Sequence, residues 1–323
     1  MNILITGGFG YAGSILSEEF AKRKHQVVIV DNLHTGIKNN KILNKYENLE
    51  FYNFDITNMN SLKKAFKKFK YDCVIHLAAI VGDPACRKDI KLTNKTNLIG
   101  AKNVFKLSKE NKAKKFIFYS TCSNYGIMKN TSLVSEKSKL RPISHYAKTK
   151  VKFEKYLIND KSKISKIIFR VSTLYGMSKR MRFDLTINEF VKTIFLNKKL
   201  QVYDKNTWRP YLHLRDLFKV TDYFLNKKIS SNVNILNVGK KNENYSKESI
   251  CKIIQKKIKN REKLIKYIDK TSVDMRDYKV DFSKIDKIKI KLNFDVSKGV
   301  SEIIKAITKN KYLRNNSSKF INH

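Results

Sequence analysis

Acidic residues are in short supply in this chain: 28 Asp and Glu stand against 68 Lys and Arg in 323 residues, a formal net charge of +40. Such an imbalance ordinarily points to nucleic acid or a membrane surface, because clustered cations gain affinity by releasing phosphate counterions. Here the lysines are spread over every segment rather than collected in one stripe. They read as the default solvated surface residue, and no specific nucleic-acid partner is expected. A diffuse positive field still draws in an anionic small molecule. Cysteine is scarce too, and Cys73, Cys86, Cys122 and Cys251 show no metal-ligand spacing. No apolar run is long enough to span a bilayer, and the apolar start at Ile3 lacks the basic region and length of a signal peptide. The expectation is a cytoplasmic protein with free thiols and no membrane contact. Internal repeats are absent as well. What is present, 41% hydrophobic residues over this length, suffices for a large core and excludes a disordered polycation.

The first thirteen residues carry the most information. An apolar run, Asn2-Ile3-Leu4-Ile5-Thr6, passes straight into Gly7-Gly8-Phe9-Gly10-Tyr11-Ala12-Gly13. A strand that ends in glycines and restarts as a helix lays backbone amides against a pyrophosphate, since no Cβ blocks the approach and a helix N-terminus favours negative charge. Two patterns overlap here, Gly8-x-Gly10-x-x-Gly13 and Gly7-x-x-Gly10-x-x-Gly13, and the sequence does not choose between them. A second β-rich run, 26–30, ends in Asp31, roughly 20 residues beyond the glycines, where a carboxylate accepts bonds from a ribose 2′-hydroxyl. A carboxylate there repels a 2′-phosphate, so NAD is favoured over NADP. Read blandly, the glycines form an ordinary tight turn and Asp31 a surface turn residue.

Short β-rich runs and helical patterns alternate well past this opening, the signature of a parallel sheet built from crossovers. Strands are expected at 49–54, 73–77, 116–120 and 167–171, with helices at 11–23, 61–69, 92–111 and 146–159. Ligands bind at the carboxyl ends of such strands, so the residues just after each strand matter most. After Val171 the alternation breaks into an Arg-rich loop, Ser178-Lys179-Arg180-Met181-Arg182, and a helix at 184–195. A strand and helix return between 211 and 226, a strand follows at 234–238, and a last helix lies near 296–308. The division expected is 1–176, with 211–239 returning to it, against a smaller lobe from 177–210 and 240–312, and a flexible tail at 313–323.

Tyr146 and Lys150 stand four residues apart, so on a helix they share one face and the ammonium lies near the phenol. A nearby cation favours phenolate, and the positive nicotinamide ring of bound NAD pushes the same way, which makes tyrosine a usable base near neutral pH. In a lysine-rich chain Tyr-x-x-x-Lys arises readily by chance, as a solvated helix face. Position gives it weight: it opens the helix after the fifth strand, whose end, Ser120-Thr121-Cys122-Ser123-Asn124-Tyr125-Gly126, offers the Thr121 hydroxyl to the same region.

With these residues in view, the chain resembles the extended short-chain dehydrogenases/reductases, the nucleotide-sugar epimerase and dehydratase family, over nearly everything up to about residue 310. The carrying motifs are Thr6 to Gly13, Asp31-Asn32-Leu33, Asp55-Ile56, His76-Leu77-Ala78-Ala79, Tyr119 to Gly126, Tyr146 to Lys150, Arg209-Pro210-Tyr211-Leu212-His213 and Arg276-Asp277-Tyr278. The resemblance implies an α/β fold, a Rossmann doubly wound parallel sheet with a smaller C-terminal substrate-binding lobe. It implies that Gly7, Gly10, Ala12 and Gly13 line the dinucleotide, that Tyr11 also contacts the pyrophosphate, and that Asp31 and Asn32 hold the adenosine ribose. By the same token Asp55 and Ile56 flank the adenine, and the backbone at Leu77, Ala78 and Ala79 passes close to the cofactor.

Tyr146 is then the catalytic acid or base, Lys150 lowers its pKa and holds the nicotinamide ribose, and Thr121 bridges a sugar hydroxyl to Tyr146. Arg209 and Arg276 fall where the family grips the nucleotide diphosphate, a task suited to forked guanidiniums. Arg180 and Arg182 either shape the sugar pocket or pack between lobes. No metal is implied. Sugar dehydratases of the family carry Thr-Asp-Glu where this chain has Thr121-Cys122-Ser123, so dehydration is not expected. The stretches 180–185, 208–210 and 275–278 are similar to a bacterial subgroup that holds GDP-heptose 4-dehydrogenases of capsule biosynthesis and nucleotide-sugar 4-epimerases. The expected activity is NAD-dependent oxidation at carbon 4 of a nucleotide-diphosphate sugar, by a homodimer on family analogy. A 4-keto-sugar reductase working from NADH and a non-catalytic nucleotide-sensing or RNA-associated protein are the alternatives. Together Tyr146, Lys150 and Thr121 argue against the last.

Overall fold

A computed structural model describes residues 1–34, 38, 40–127, 133–228, 231–269 and 276–315. In chain order the elements of the first half are β1 (Asn2–Thr6), α1 (Gly13–Lys22), β2 (Gln26–Val30), α2 (Asn40–Lys45), β3 (Leu49–Tyr52), α3 (Met59–Lys68), β4 (Cys73–His76), α4 (Asp83–Lys88), α5 (Ile90–Asn94), a π-helical turn (Lys95–Gly100), α6 (Ala101–Glu110), β5 (Lys115–Thr121) and α7 (His145–Asn159). There follow β6 (Ser165–Val171), β7 (Thr173–Tyr175), α8 (Thr186–Phe195), β8 (Leu200–Tyr203), β9 (Trp208–His213), α9 (Leu214–Asn226), β10 (Val233–Val238), β11 (Asn244–Ser246), α10 (Lys247–Lys257), β12 (Ile265–Ile268), α11 (Ser283–Asp286), α12 (Val296–Lys309) and α13 (Lys311–Asn315).

Seven strands form one sheet in the order β10-β6-β5-β4-β1-β2-β3, every pair parallel. Apolar side chains point to both faces, which is why these strands read as continuous hydrophobic runs. Leu4, Val28, Val74, Phe116 and Ile168 pack one face against α3, α6 and α7. Ile3, Ile5, Val27, Ile29, Ile75, Ile117 and Phe169 pack the other, in a core that runs on into the second lobe. That lobe adds a three-stranded sheet, β11-β9-β7, and a two-stranded parallel one, β12-β8.

Register decides where the sheet presents its residues. Thr6 stands opposite both Val30 and His76, so Gly7, Asp31 and Leu77 leave the sheet at one level. In β5, Phe118 is opposite His76, and Thr121 therefore overhangs that level by three residues. Order reverses between β1 and β4, and the crevice at that switch point opens above the strand ends.

Four expectations are corrected. The helix expected over 92–111 is broken: the π-helical turn inserts an extra residue between α5 and α6, a deviation that an unbroken apolar period does not reveal. The strand expected from 211 begins at Trp208 and joins the small sheet, not the large one. The two small sheets were not foreseen, because β7, β11 and β12 are too short to show a period. Residues 313–315 of the expected tail end α13, with Leu313 buried; 316–323 lie outside the described residues. All four cysteines are free and buried, and among the described residues no helix is long and apolar enough to cross a membrane.

One buried acid in the second lobe makes stability depend on pH. Glu243 is 4% exposed; it accepts the Val296 amide at 2.9 Å and the Tyr245 hydroxyl at 3.2 Å, and burial pushes its carboxyl up from 4.5 to about 7. Between those values the folded chain holds a proton that the unfolded chain has lost, so stability falls as pH rises through about 7 and levels off above. Urea unfolding at pH 5 and pH 8 is expected to show this loss, on the order of 3 kcal/mol, and Glu243→Gln is expected to lack it.

Candidate active site

A cavity of about 950 Å³ lies along the carboxyl ends of β1, β2, β4, β5 and β6. At one end it is lined by Gly7, Gly10, Tyr11, Ala12 and Gly13. Gly7 has φ of +73°, and a Cβ there would meet the Ala78 amide nitrogen at 2.7 Å; a Cβ on Gly13 would strike the Gly7 carbonyl at 2.0 Å. Strand, loop and helix thus pack backbone to backbone. Gly8 turns instead into the core, against Ile29, and does not line the cavity, so the glycines at 7, 10 and 13 are the ones presented. No side chain caps α1, whose N-terminus faces the cavity from Ala12 and Gly13.

Asp31 accepts the amides of Phe9 at 3.0 Å and Leu33 at 2.9 Å, which fixes its carboxylate beside that loop. Burial raises its pKa, opposed by those two amides. Asn32 lines the cavity and donates to Asp55 at 2.9 Å. Asp55 itself also accepts the Thr57 amide at 2.7 Å and reaches the cavity only through Asn32. Ile56, Leu77, Ala78 and Ala79 line it directly, joined by His34 and Phe54, which sequence reasoning passed over. The Tyr11 hydroxyl is committed elsewhere: it donates to the Gly176 carbonyl at 2.7 Å and accepts from Asn188 at 2.8 Å. Any contact of Tyr11 with a pyrophosphate is left to its ring edge and backbone.

Thr121, Tyr146 and Lys150 all line the same cavity. Thr121 caps the short 3₁₀ turn that follows it, accepting the Ser123 amide at 3.1 Å. Beneath it the end of β5 is tied down: Glu154 accepts from Ser120, from Asn124 at 2.7 Å and from Arg170 at 2.8 Å, all buried. The start of α7 is fixed by a residue that the sequence reading missed. Asn97, in the π-helical turn, accepts the Ile80 amide at 2.8 Å and donates to the Ile80 carbonyl at 3.0 Å and to Thr149 at 3.3 Å. Thr149 in turn donates to the Tyr146 carbonyl at 2.7 Å. Only the broken helix brings Asn97 to this point.

The charge argument for Tyr146 needs correction. Lys150 does sit 5.8 Å from the Tyr146 ring centroid, but its ammonium donates to the Tyr119 carbonyl at 2.9 Å, and burial lowers its own pKa to about 8. Enclosure pushes the phenol above its ordinary value, a shift that Asp83 and Cys86 reinforce; the side chains that chiefly oppose it are Arg182 and Arg276. Burial outweighs the lysine because an i, i+4 pair shares a face without the two head groups meeting.

Arg180, Arg182, Arg209 and Arg276 all reach the cavity, from three separate parts of the chain. Arg180 is buried and donates to the Met181 carbonyl at 2.8 Å. Arg182 pairs with Asp184, Nε to Oδ1 at 3.1 Å. Arg209 donates to the Trp208 carbonyl at 2.7 Å and stands 5.3 Å from the Tyr278 ring. Arg276 donates to the Ser123 hydroxyl at 3.2 Å and pairs with Asp83 at 3.4 Å. Met275, next to it in the motif, lies outside the described residues. The sequence signal for Asp83 was present but unused: it follows the fourth strand, where ligand-facing residues gather.

Comparison with known proteins gives the family and the fold. The NAD-dependent epimerase/dehydratase family matches residues 3–239. A dTDP-D-glucose 4,6-dehydratase of Dictyostelium discoideum is 33% identical over 257 residues, 73% of this chain and 58% of that one. A UDP-glucuronate 4-epimerase of Thermodesulfobacterium geofontis is 29% identical over 312 residues, 94% and 93% of the two chains. Among solved structures, the UDP-glucuronic acid 4-epimerase of Bacillus cereus, in complex with UDP-glucuronic acid and NAD, superposes with a TM-score of 0.82 at 26% identity over 96% of this chain and 99% of that one. The UDP-glucose 4-epimerase of Thermotoga maritima gives a TM-score of 0.85 at 23% identity, over 96% and 99%.

Proposed function

Since the chain belongs to the NAD-dependent epimerase/dehydratase family, we propose that it oxidises carbon 4 of a nucleotide-diphosphate hexose or heptose. It then either returns the hydride to the opposite face, as an epimerase, or releases the ketone, as a 4-dehydrogenase, in the making of surface-polysaccharide precursors in the cytoplasm. The observation that carries this reading is one cavity holding the glycine loop, Thr121, Tyr146, Lys150 and four arginines. NAD, when bound, supplies the hydride acceptor. The glycine loop fits a pyrophosphate because a Cβ at Gly7 or Gly13 would fill the space between strand and helix. Asp31 and Asn32 fit a ribose diol.

Tyr146 takes the proton from the sugar hydroxyl, Thr121 holds that hydroxyl, and Lys150, fixed on the Tyr119 carbonyl, orients the nicotinamide ribose. Arg209 and Arg276 grip the diphosphate, with Arg180 and Arg182 beside them. Positions 122 and 123 favour this over dehydration: Cys122 is buried with its thiol on the Arg170 carbonyl at 3.1 Å, and Ser123 serves Arg276, so neither supplies a carboxyl group.

The test is incubation of the purified chain with UDP-, GDP-, CDP- and dTDP-sugars in heavy water, with products identified by mass and NMR. A net keto product marks a 4-dehydrogenase, an inverted centre without net redox an epimerase, and no product from any sugar overturns the reading. We further propose a homodimer formed through the helical segments 92–111 and 146–159. Supporting it, Ile99 (55% exposed) and Ile158 (39% exposed) stand on these segments as large apolar groups in water. Light scattering is expected to give twice the 37.8 kDa chain mass, and Ile99→Glu to return the monomer.

A further inference from the structure

Asp83 is among the charged groups of the cavity to which the proposed reaction gives no task. It follows Gly82, opens α4 and lines the cavity with Tyr146, Arg182 and Arg276. The loop passes close to the second lobe here, since a Cβ on Gly82 would stand 3.8 Å from the Arg182 guanidinium. One carboxylate oxygen, Oδ2, faces Arg276 at 3.4 Å. The other, Oδ1, is buried and has no hydrogen-bond partner among the described residues. The next residue, Pro84, has no N–H to bring to it. A buried carboxylate oxygen without a donor is unfavourable, and in a binding cavity the donor it lacks is one that a ligand carries. The charge of Asp83 is also felt at the Tyr146 hydroxyl, where it opposes ionisation, so the carboxylate stands near the reacting centre.

Resting on the reading of this cavity as a nucleotide-sugar oxidation site, we propose that Asp83 Oδ1 accepts a hydrogen bond from a hydroxyl or amino group of the sugar. The site therefore takes neutral or amino sugars and turns away uronates. A sugar's substituents beside carbon 4 come within reach of groups around Tyr146, and a hydroxyl or an amine supplies the missing donor. A uronate carboxylate supplies none, and brings like charge to a partly desolvated oxygen. A site built to pair one polar group discriminates strongly against an analogue that leaves it unpaired. This sets the chain apart from the relatives in T. geofontis and B. cereus, both named for glucuronate.

The experiment uses the full-length, NAD-loaded enzyme with matched pairs on one nucleotide: UDP-glucose with UDP-glucuronate, and GDP-mannose with GDP-mannuronate. For wild type, kcat/KM on the better neutral sugar is expected to exceed that on its uronate by roughly tenfold or more. Asp83→Ala is expected to lower kcat/KM on the neutral sugar by roughly ten- to hundredfold and to shrink the discrimination, while affinity for bare UDP or GDP and for NAD stays within about threefold. Equal turnover of a uronate by wild type overturns the proposal without any variant. So does an Asp83→Ala enzyme with unchanged turnover of the neutral sugar. An equal loss of affinity for the bare nucleoside diphosphate also overturns it, since Asp83 would then only hold Arg276 in place. A wild type silent on every sugar, in this set and in the wider panel, fails at an earlier point: it removes the reading of the site, and the proposal with it.

Discussion

Tyr146→Phe is expected to lower turnover by roughly 10²–10⁴-fold while leaving NAD bound, because it deletes one oxygen that must take a proton and little else. Product formation from the active sugar measures the first, and titration of NAD against protein fluorescence the second. The size of the loss follows from the surroundings of the phenol. Enclosure raises its pKa, so as it stands the group is a poor base at neutral pH. Its activation would come from cations brought closer when ligands fill the cavity, and an oxidised nicotinamide would supply one. A phenylalanine ring gains nothing from those charges. A variant with near-normal turnover would refute the assignment of Tyr146 as acid or base.

Arg170→Met is expected to destabilise the fold by about 3–5 kcal/mol, measured by urea or thermal unfolding, because it strands a buried carboxylate. Glu154 is 1% exposed and takes three contacts from Arg170, at 2.8, 3.2 and 3.3 Å. Without the guanidinium it keeps only Ser120 and Asn124, both neutral. The double variant Arg170→Met with Glu154→Leu is expected to lose less than the single one, since it removes the charge along with its partner. If the single variant unfolds no more easily than wild type, the pair contributes nothing to holding β5. The pair also bears on catalysis: Ser120, which it anchors, precedes Thr121, so a loosened network is expected to lower turnover at temperatures where the variant is still folded.

What could be read from the chain and what could not divide along physical lines. The glycine loop, Asp31, and the strands around Val28, Val74, Ile117 and Ile168 were legible because close backbone approach and full burial leave few residue types to choose from. Tyr146 and Lys150 were placed correctly on one helix face, yet their electrostatic relation was not, since burial depends on what packs over the helix. Asn97 was out of reach because a π-helical turn changes which side of a helix a residue faces, and the apolar pattern continues through it. Asp83 and Arg276 form an ion pair across most of the chain's length, a proximity created only by the second lobe closing over the sheet. The choice between Gly7 and Gly8 likewise rested on Ile29, a residue of the neighbouring strand.

The twin bonds at the Tyr11 hydroxyl bear on how the molecule loads and empties. A cleft made by two lobes commonly opens like a book, hinged at the far edge. Here the stitching runs from the glycine-rich turn itself to Gly176 and Asn188, so the two sides part only by giving up both buried hydrogen bonds at once. A long, two-ended cofactor must then thread lengthwise past a closed seam, or wait for that seam to part. Slow exchange of a bound dinucleotide is the expected consequence.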